Sequence, residues 1–173
     1  MKPRIQYAEA APEGLKAMLG LESYVRHCGL EGPLLELVKL RASQINGCAY
    51  CIDMHTKDAR AEGEREQRLY ALVAWEETPF FSERERAALA WTEATTKIGE
   101  GHVPDPVYEQ ARRYFSEKEL VDLTLAIIAI NGWNRLAIGF RTVPGTYDPA
   151  QRRTVEGASN VPKTGRPGSG VQS

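Results

Sequence analysis

The sequence lacks an excess of charge of either sign and has no basic stripe. Its 22 Lys and Arg residues nearly balance 23 Asp and Glu residues, which leaves a formal net charge of -1. The two signs are interspersed along the chain rather than collected in blocks. No charge pattern therefore favours a nucleic acid or an anionic membrane surface as a partner. We accordingly predict no nucleic-acid partner and no membrane partner.

Long apolar segments are also missing. The longest uncharged apolar stretch, LTLAIIAINGW at 123–133, is shorter than the roughly 20 residues with which a helix crosses a bilayer. The N-terminal segment MKPRIQYAEAAPEG has no apolar centre of the kind that a signal peptide carries. The expected location is therefore the cytoplasm. A chain of 173 residues is long enough for one well-buried core and too short for two ordinary domains.

Cysteine is scarce, and 3 residues do not make a disulfide framework, least of all in a reducing compartment. Two of them, Cys48 and Cys51, lie close together in QINGCAYCIDMH at 44–55. Such a pair indicates metal binding or redox chemistry. Zinc would need a further ligand, which Cys28 with His27 could supply. Taken alone, Cys28 is expected to be a small buried apolar side chain.

Alternating apolar and polar residues, the pattern of half-buried strands, are absent as well, and Gly and Pro separate segments of helical length. We therefore predict an all-α fold. Capping boxes are predicted at Ser82 with Glu85 and at Ser116 with Glu119. The predicted helices cover 12–28, 33–46, 48–63, 64–75, 82–98, 107–115 and the apolar segment after residue 116, with a loop at 99–106.

One segment is similar to another within the chain. Residues 37–55 align without a gap with residues 122–140, and both contain the tripeptide Ile-Asn-Gly. Both are predicted to run as helix, Asn-Gly corner, helix, which gives an internally duplicated helix–corner–helix unit. The reactive residues are not duplicated, so the second copy is expected to be core. Trp133, Leu136 and Phe140 stand there in place of Cys48, Cys51 and His55.

The cysteines fall on one helix face with His55, because spacings of three and four residues each approximate one helical turn. Cys48 is predicted in the first turn, where free N–H groups and the helix dipole favour a thiolate. His55 can relay a proton or pair with a thiolate. Glu36 lies among apolar residues in PLLELVKL, and a partly buried carboxylate suits a proton acceptor. A solvated position on a helix surface is the alternative for Glu36.

These four residues and the surrounding RASQINGCAYCIDMHTKDA resemble the core motif of the alkylhydroperoxidase D-like (AhpD-like) proteins of the carboxymuconolactone decarboxylase superfamily. FSERERAALAWTEATT and LTLAIIAINGWNRLAI are similar to the later helices of that family, so the resemblance covers about 12–144. It implies an AhpD-like helical bundle that assembles into trimers or hexamers. It also implies a cysteine pair that cycles between dithiol and disulfide without a metal or organic cofactor.

Carried over by residue, the resemblance implies that Cys51 attacks the peroxide, Cys48 resolves the product, Glu36 is the base and His55 relays the proton. Position at the helix start alone favours Cys48 as the more activated thiol, so both orders stay open. Tyr50 departs from the motif, because the best-studied alkylhydroperoxidase type has a histidine between its cysteines. A phenol with a pKa of about 10 can donate a hydrogen bond but cannot shuttle protons as an imidazole does. Weak to moderate activity is therefore expected.

The predicted function is a cysteine-based hydroperoxide reductase that uses a hydroperoxide substrate and a dithiol reductant, either a lipoyl protein or a thioredoxin-like protein. Two other classes stay open. One is a carboxymuconolactone decarboxylase-like acid–base enzyme, which needs a histidine and a carboxylate but no cysteine pair. The other is a non-enzymatic thiol redox sensor, in which the same disulfide acts as a switch.

The amphipathic helices leave more apolar surface than one subunit hides, which together with the resemblance predicts a homotrimer or homohexamer. The AhpD-like domain is predicted to cover 1–145. Residues 146–173 are rich in Gly, Pro and Ser and are predicted to form a tail or an arm on a neighbouring subunit, with no chemistry assigned.

Overall fold

The computed structural model describes residues 2–150, and over that range the chain is helical with no β-strand. The predicted all-α fold is thus confirmed. The helices are α1 (Tyr7–Ala10), α2 (Pro12–His27), α3 (Gly32–Asn46), α4 (Ala49–Ala61), α5 (Glu66–Ala71), the 3-10 helix η1 (Leu72–Glu77), α6 (Glu83–Thr96), α7 (Ile98–Gly101), α8 (Asp105–Tyr114) and α9 (Glu117–Phe140).

Helix α3 is the centre of the core. It packs against α4, α6 and α9, and apolar side chains are buried on nearly every side of it. Because the helix is surrounded, its polar residues Glu36, Lys39 and Ser43 are buried too. Burying a polar or charged group is costly unless it finds a partner. The position of α3 therefore decides which polar side chains must pair inside the protein.

Helix α9 is the other long core element. By length and composition it could cross a membrane, but it packs against α2, α3 and α6. Leu123, Ile127 and Ile130 are buried in those contacts. The predicted capping box at its start is confirmed: Ser116 accepts from the N–H of Glu119, whose carboxylate accepts from the N–H of Ser116. The apolar character of α9 is thus explained by core packing.

The predicted corner at Asn131-Gly132 is wrong, because α9 continues through it. Gly47, by contrast, has a φ of 68° and ends α3 in the left-handed region that glycine favours. Gly132 lies so close to α2 that an added Cβ would sit 2.8 Å from Cε of Met18. The glycine therefore lies inside a continuous helix, against the flexible end of the Met18 side chain, and does not form a turn. The predicted duplication of the helix–corner–helix unit is therefore wrong, because the second segment is one continuous helix.

The two Asn-Gly pairs nevertheless meet in space. The side-chain amide of Asn46, at the end of α3, donates to Oδ1 of Asn131 at 2.9 Å and to Oδ1 of Asn134 at 2.8 Å. Asn131 also donates to the carbonyl of Ile127 at 2.9 Å, within its own helix. These amides join the end of α3 to the middle of α9, next to the α3–α4 corner.

Two further boundaries differ from the sequence prediction. The helix predicted at 64–75 is α5 followed by η1, in which Ala74 has non-helical φ and ψ of -123° and 38°. The loop predicted at 99–106 contains most of α7 and the start of α8. His102, with a φ of 57°, ends α7, and a proline at the start of α8 favours the new helix. The sequence does not indicate α7, because its glycines favour a loop.

After α9 the chain turns back along α4 as a segment that we call the C-terminal arm, residues 142–150. The N–H of Gly145 donates to Oδ2 of Asp53 at 2.9 Å, and Nζ of Lys57 donates to the carbonyl of Tyr147 at 3.1 Å. The domain boundary predicted at 145 therefore lies inside a segment that contacts its own domain. The remainder of the predicted tail, 151–173, lies outside the described residues.

Candidate active site at the corner of α3 and α4

The corner between α3 and α4 positions the two cysteines. Gly47 ends α3, and Cys48 caps α4 with its Sγ accepting from the N–H of Cys51 at 3.4 Å. Cys51 is thus in the first turn of α4. The two side chains form a disulfide, with their Cα atoms 5.4 Å apart, and both are buried. They pack against Ile130 and Ala137 of α9.

A buried carboxylate–imidazole pair lies beside the cysteines. Oε2 of Glu36 on α3 is 2.7 Å from Nδ1 of His55 on α4, and both side chains are buried. The solvated alternative for Glu36 is therefore wrong. A hydrogen bond between a carboxylate and an imidazole is a strong one and can carry a proton between the two groups. The structure thus brings together the base and the relay that the sequence motif predicts.

A cavity of about 230 Å³ opens next to this pair. Cys51 is among the residues that line it and Cys48 is not, so one sulfur of the pair belongs to the cavity wall. Glu36 and His55 also line it. The other lining residues are Tyr7, Leu19, Glu22, Arg26, Lys39, Tyr50, Met54, Asp58, Trp133, Ala137 and Tyr147.

A second buried carboxylate, Asp58, lies one turn beyond His55 on α4. The hydroxyl of Tyr147, from the C-terminal arm, donates to Oδ1 of Asp58 at 2.7 Å. Glu36, His55 and Asp58 each offer an atom within 4.8 Å of the others, a set that a metal ion could use. A metal bound through Nδ1 of His55 would have to replace the hydrogen bond to Glu36. Sequence reasoning missed Asp58 and Tyr147, although Asp58 lies on the helix face of His55.

A third buried pair lines the same cavity. Nζ of Lys39, one turn after Glu36 on α3, is 2.5 Å from Oε1 of Glu22 on α2. Nε1 of Trp133 donates to Oε2 of the same carboxylate at 3.3 Å. Burial alone would raise the pKa of Glu22, but the charge and hydrogen bond of Lys39 outweigh burial and lower this pKa. Glu22 thus remains ionised next to its cation. The sequence analysis missed this pair.

Tyr50, the position that departs from the sequence motif, lies between the two cysteines and lines the cavity. Burial raises the pKa of its hydroxyl, and the nearby Tyr7, Asp53 and Asp58 raise it further. Tyr50 therefore keeps its proton at neutral pH, which suits a hydrogen-bond donor and not a proton shuttle.

The structure does not bring the alternative zinc ligands to the cavity. Cys28 is partly buried and packs against the core cluster that contains Val25 and Leu30, and His27 bonds through Nδ1 to the carbonyl of Ser23. Neither residue lines the cavity with Cys51. The sequence predicts a small buried apolar side chain at Cys28, and the structure shows a partly buried one that packs against apolar core residues.

Residues 12–94 match the sequence model of the carboxymuconolactone decarboxylase family. YdfG of Bacillus subtilis (strain 168), an uncharacterized protein, is 49% identical over 138 residues, which are 80% of this chain and 94% of YdfG. The chain belongs to the carboxymuconolactone decarboxylase family. Within this family it is AhpD-like, as the motif around the cysteines predicts.

Solved structures of other proteins share the fold. ATU0492 of Agrobacterium tumefaciens is 49% identical to this chain. It is a protein of unknown function whose description suggests the antioxidant defence protein AhpD. Its TM-score is 0.82, over 84% of this chain and 100% of that one. The debrominase Bmp8 shares the fold at 21% identity and a TM-score of 0.71, over 86% of this chain and 78% of that one. The family and the 49% identical neighbour indicate an enzyme.

Proposed function

We propose that the protein is a hydroperoxide reductase that works through a Cys48–Cys51 dithiol and disulfide, with Glu36 and His55 as the proton relay. One observation carries this proposal: Cys51 and the hydrogen-bonded Glu36–His55 pair line the same cavity, and Cys48 is within disulfide reach of Cys51. A reactive sulfur, a proton acceptor and a resolving sulfur are what such a cycle needs.

The first step in this scheme makes the nucleophile and cleaves the peroxide. The Glu36–His55 pair takes the proton from the Cys51 thiol, and the thiolate attacks the terminal oxygen of R–O–OH. The S–O bond forms while the O–O bond breaks, so that sulfur is oxidised to a sulfenic acid and the peroxide is reduced. The leaving alkoxide takes the proton held by the pair and departs as the alcohol.

The second step forms the disulfide. The Cys48 thiol gives up its proton and attacks Sγ of Cys51; the S–S bond forms, the S–OH bond breaks, and hydroxide leaves as water with that proton. The Cys48–Cys51 disulfide of the structure corresponds to this oxidised state. A dithiol reductant, a lipoyl protein or a thioredoxin-like protein, then supplies two electrons and two protons to restore both thiols.

The cavity supports Cys51 as the attacking sulfur. Cys51 lines it and Cys48 does not. Position at the helix start does not oppose this order, since Cys51 is the third residue of α4 and still lies near the free N–H groups of the first turn. Cys48, the capping residue, then has the role of the resolving partner.

A peroxide assay with cysteine variants tests the proposal. With lipoyl, thioredoxin-type and glutathione-type reductants, the wild type is expected to turn over with at least one of them. Cys51→Ser should abolish peroxide consumption. Cys48→Ser should consume one equivalent and accumulate a sulfenic acid or mixed disulfide on Cys51, detectable by mass spectrometry. Cys28→Ser is the matched control and should retain the wild-type rate.

Contrary results separate the remaining classes. Full turnover by a Cys48→Ser/Cys51→Ser double variant would rule out the dithiol cycle. One slow, stoichiometric oxidation of the wild type, without turnover by any reductant, would instead support a thiol redox sensor. If neither cysteine is oxidised by hydroperoxide, the buried Glu36–His55 pair points to the acid–base class of the family.

A further inference from the structure

Aromatic side chains from four separate segments line the cavity. Tyr7 comes from α1, Tyr50 from α4, Trp133 from α9 and Tyr147 from the C-terminal arm. Aromatic rings provide large apolar surfaces and prefer to pack against other rings in stacked or edge-to-face arrangements. A cavity with this lining fits a flat apolar group better than a flexible polar one.

The charged groups that line the cavity have partners within the protein. Lys39 binds Glu22, Nε of Arg26 lies 3.7 Å from Oε1 of the same carboxylate, His55 binds Glu36, and Asp58 accepts from the hydroxyl of Tyr147. A ligand with a charge of its own would have to compete with one of these pairs, and breaking a buried one is costly. The cavity therefore suits a neutral molecule whose body contacts the rings.

The size of the cavity excludes the smallest peroxide as a good fit. About 10–15 Å³ of cavity holds one water molecule, whereas this cavity measures about 230 Å³. Hydrogen peroxide, with two oxygen atoms, would leave most of that volume without contact. An organic hydroperoxide with a bulky substituent fills it, with the peroxide group directed at Cys51.

Among these aromatic residues, Tyr147 is held by hydrogen bonds at both its side chain and its backbone. Its hydroxyl donates to Asp58 at 2.7 Å, and its carbonyl accepts from Lys57 at 3.1 Å. Lys57 is itself paired with Asp53 at 2.9 Å, and Asp53 accepts from the N–H of Gly145. The arm is thus held on α4 on both sides of the ring, which keeps the ring in place as one wall of the cavity.

We propose that this site takes neutral hydroperoxides that carry an aromatic ring, and that Tyr147 is the specificity-determining residue that packs against that ring. The proposal rests on the proposed peroxide reduction and names its substrate class. The structure assigns this role to a residue of the C-terminal arm, outside the Glu36, Cys48, Cys51 and His55 motif.

Two hydroperoxides that differ only in the ring test the proposal. Cumene hydroperoxide is tert-butyl hydroperoxide with one methyl group replaced by phenyl. The wild type should favour the cumene compound in kcat/KM by about tenfold, the ratio that corresponds to about 1.4 kcal/mol. Tyr147→Ala should reduce this ratio to about threefold or less, through a higher KM for the cumene compound. Tyr147→Phe keeps the ring and should retain the ratio.

Tyr70→Ala is the matched control, since Tyr70 is 71% exposed and does not line the cavity. A second measurement does not depend on turnover: binding of the neutral product 2-phenyl-2-propanol, followed by fluorescence of the oxidised protein. Binding should weaken about tenfold in Tyr147→Ala and much less in Tyr147→Phe, which keeps the ring and the backbone bond to Lys57 but loses the bond to Asp58.

A wild-type ratio near one, or an unchanged ratio in Tyr147→Ala, would overturn the proposal. Equal loss of both substrates in Tyr147→Ala, with product binding intact, would overturn the role of Tyr147 as well. If the wild type reduces no hydroperoxide at all, the proposed function fails, whereas the product-binding comparison still decides whether the cavity prefers an aromatic ligand.

Discussion

At the scale of single residues, the site is a set of polar groups that the core forces into pairs. Glu36, Lys39 and Ser43 are buried because α3 is surrounded by other helices. Glu36 pairs with His55, and Lys39 pairs with Glu22. Removing one partner of such a pair leaves a buried charge and costs roughly 3–5 kcal/mol. The chemistry of the site and its stability therefore depend on the same contacts.

Glu36→Gln should slow ionisation of Cys51. The amide has nearly the shape of the carboxylate but cannot accept a proton, and loss of a general base costs roughly 100-fold or more in rate. Alkylation of the reduced protein by iodoacetamide near neutral pH, with site-resolved mass spectrometry, measures thiolate formation without any peroxide. Glu13→Gln, at an exposed side chain, is the control. An alkylation rate for Cys51 equal to the wild type would remove Glu36 from the relay.

Lys39→Met should remove most of the pH-dependent stability that Glu22 contributes. In the wild type the Lys39 charge lowers the pKa of Glu22. This contribution is present above the unfolded pKa of about 4.5 and is lost as pH falls through the lower folded pKa. Without Lys39, only Arg26 and His55 oppose the effect of burial on the pKa of Glu22, so this pKa should rise and the variant should lose up to roughly 3 kcal/mol at neutral pH. That loss should shrink as the pH falls.

Urea unfolding at a series of pH values measures this difference. The double variant Lys39→Met/Glu22→Gln should recover much of the stability at neutral pH, because no buried charge is left without its partner. A loss in Lys39→Met that is the same at every pH would contradict the pairing, and would leave only lost packing as its cause.

At the scale of helices, one tripeptide has two conformations. Ile-Asn-Gly ends α3 at Gly47, where φ is 68°, and the same letters continue α9 at Gly132. The left-handed region costs a residue with a Cβ about 1–2 kcal/mol. In a helix interior, alanine is favoured over glycine by about 1 kcal/mol. The local sequence is the same, so the surroundings decide which conformation forms.

Alanine substitutions at the two glycines should therefore differ in effect. Gly47→Ala should destabilise the protein by about 1–2 kcal/mol because of its positive φ. Gly132→Ala should change stability much less, because the gain in helix propensity offsets displacement of the flexible end of Met18. Urea midpoints of the two variants measure the difference. Equal losses at the two positions would contradict the continuous α9 helix at Gly132.

Local signals explain which elements could be predicted from the sequence. The capping boxes at Ser82 and Ser116 and the corner at Gly47 depend on contacts within a few residues, and all three form as predicted. The Glu36–His55 contact could be predicted because it crosses one such corner. Tyr147 reaches Asp58 across 89 positions of the chain. No local pattern encodes that contact, and the same holds for the approach of Met18 to Gly132.

At the scale of the whole molecule, segments near both ends of the described chain close the site. The N–H of Arg4 donates to the carbonyl of Phe140 at 2.9 Å, and the ring of Tyr7 lies 5.9 Å from that of Phe140 between centroids. Tyr7 and Tyr147 both line the cavity. The corner of α3 and α4 thus holds the reactive groups, while distant parts of the sequence shape the space in front of them.

The solvent-facing side of α9 carries exposed apolar residues. Val121 is 58% exposed and Ile128 is 55% exposed, and a spacing of seven residues places both on one side of the helix. Exposed apolar residues on a core helix are suited to an interface between copies, in line with the trimers or hexamers that the family resemblance implies. We therefore propose that α9 contributes this face to a homotrimer or homohexamer.

Ile128→Glu tests this role, because a carboxylate in an apolar interface must be desolvated without a partner. Light scattering coupled to size exclusion should give a trimeric or hexameric mass for the wild type and a smaller mass for the variant at the same concentration. Lys16→Gln, which makes the net charge more negative by the same single unit at an exposed residue of α2, should keep the wild-type mass. A monomeric wild type would contradict the assembly. A glutamate buried without a partner in the interface should destabilise the oligomer by several kcal/mol. If Ile128→Glu leaves the oligomer intact, the interface therefore lies on another face of the protein.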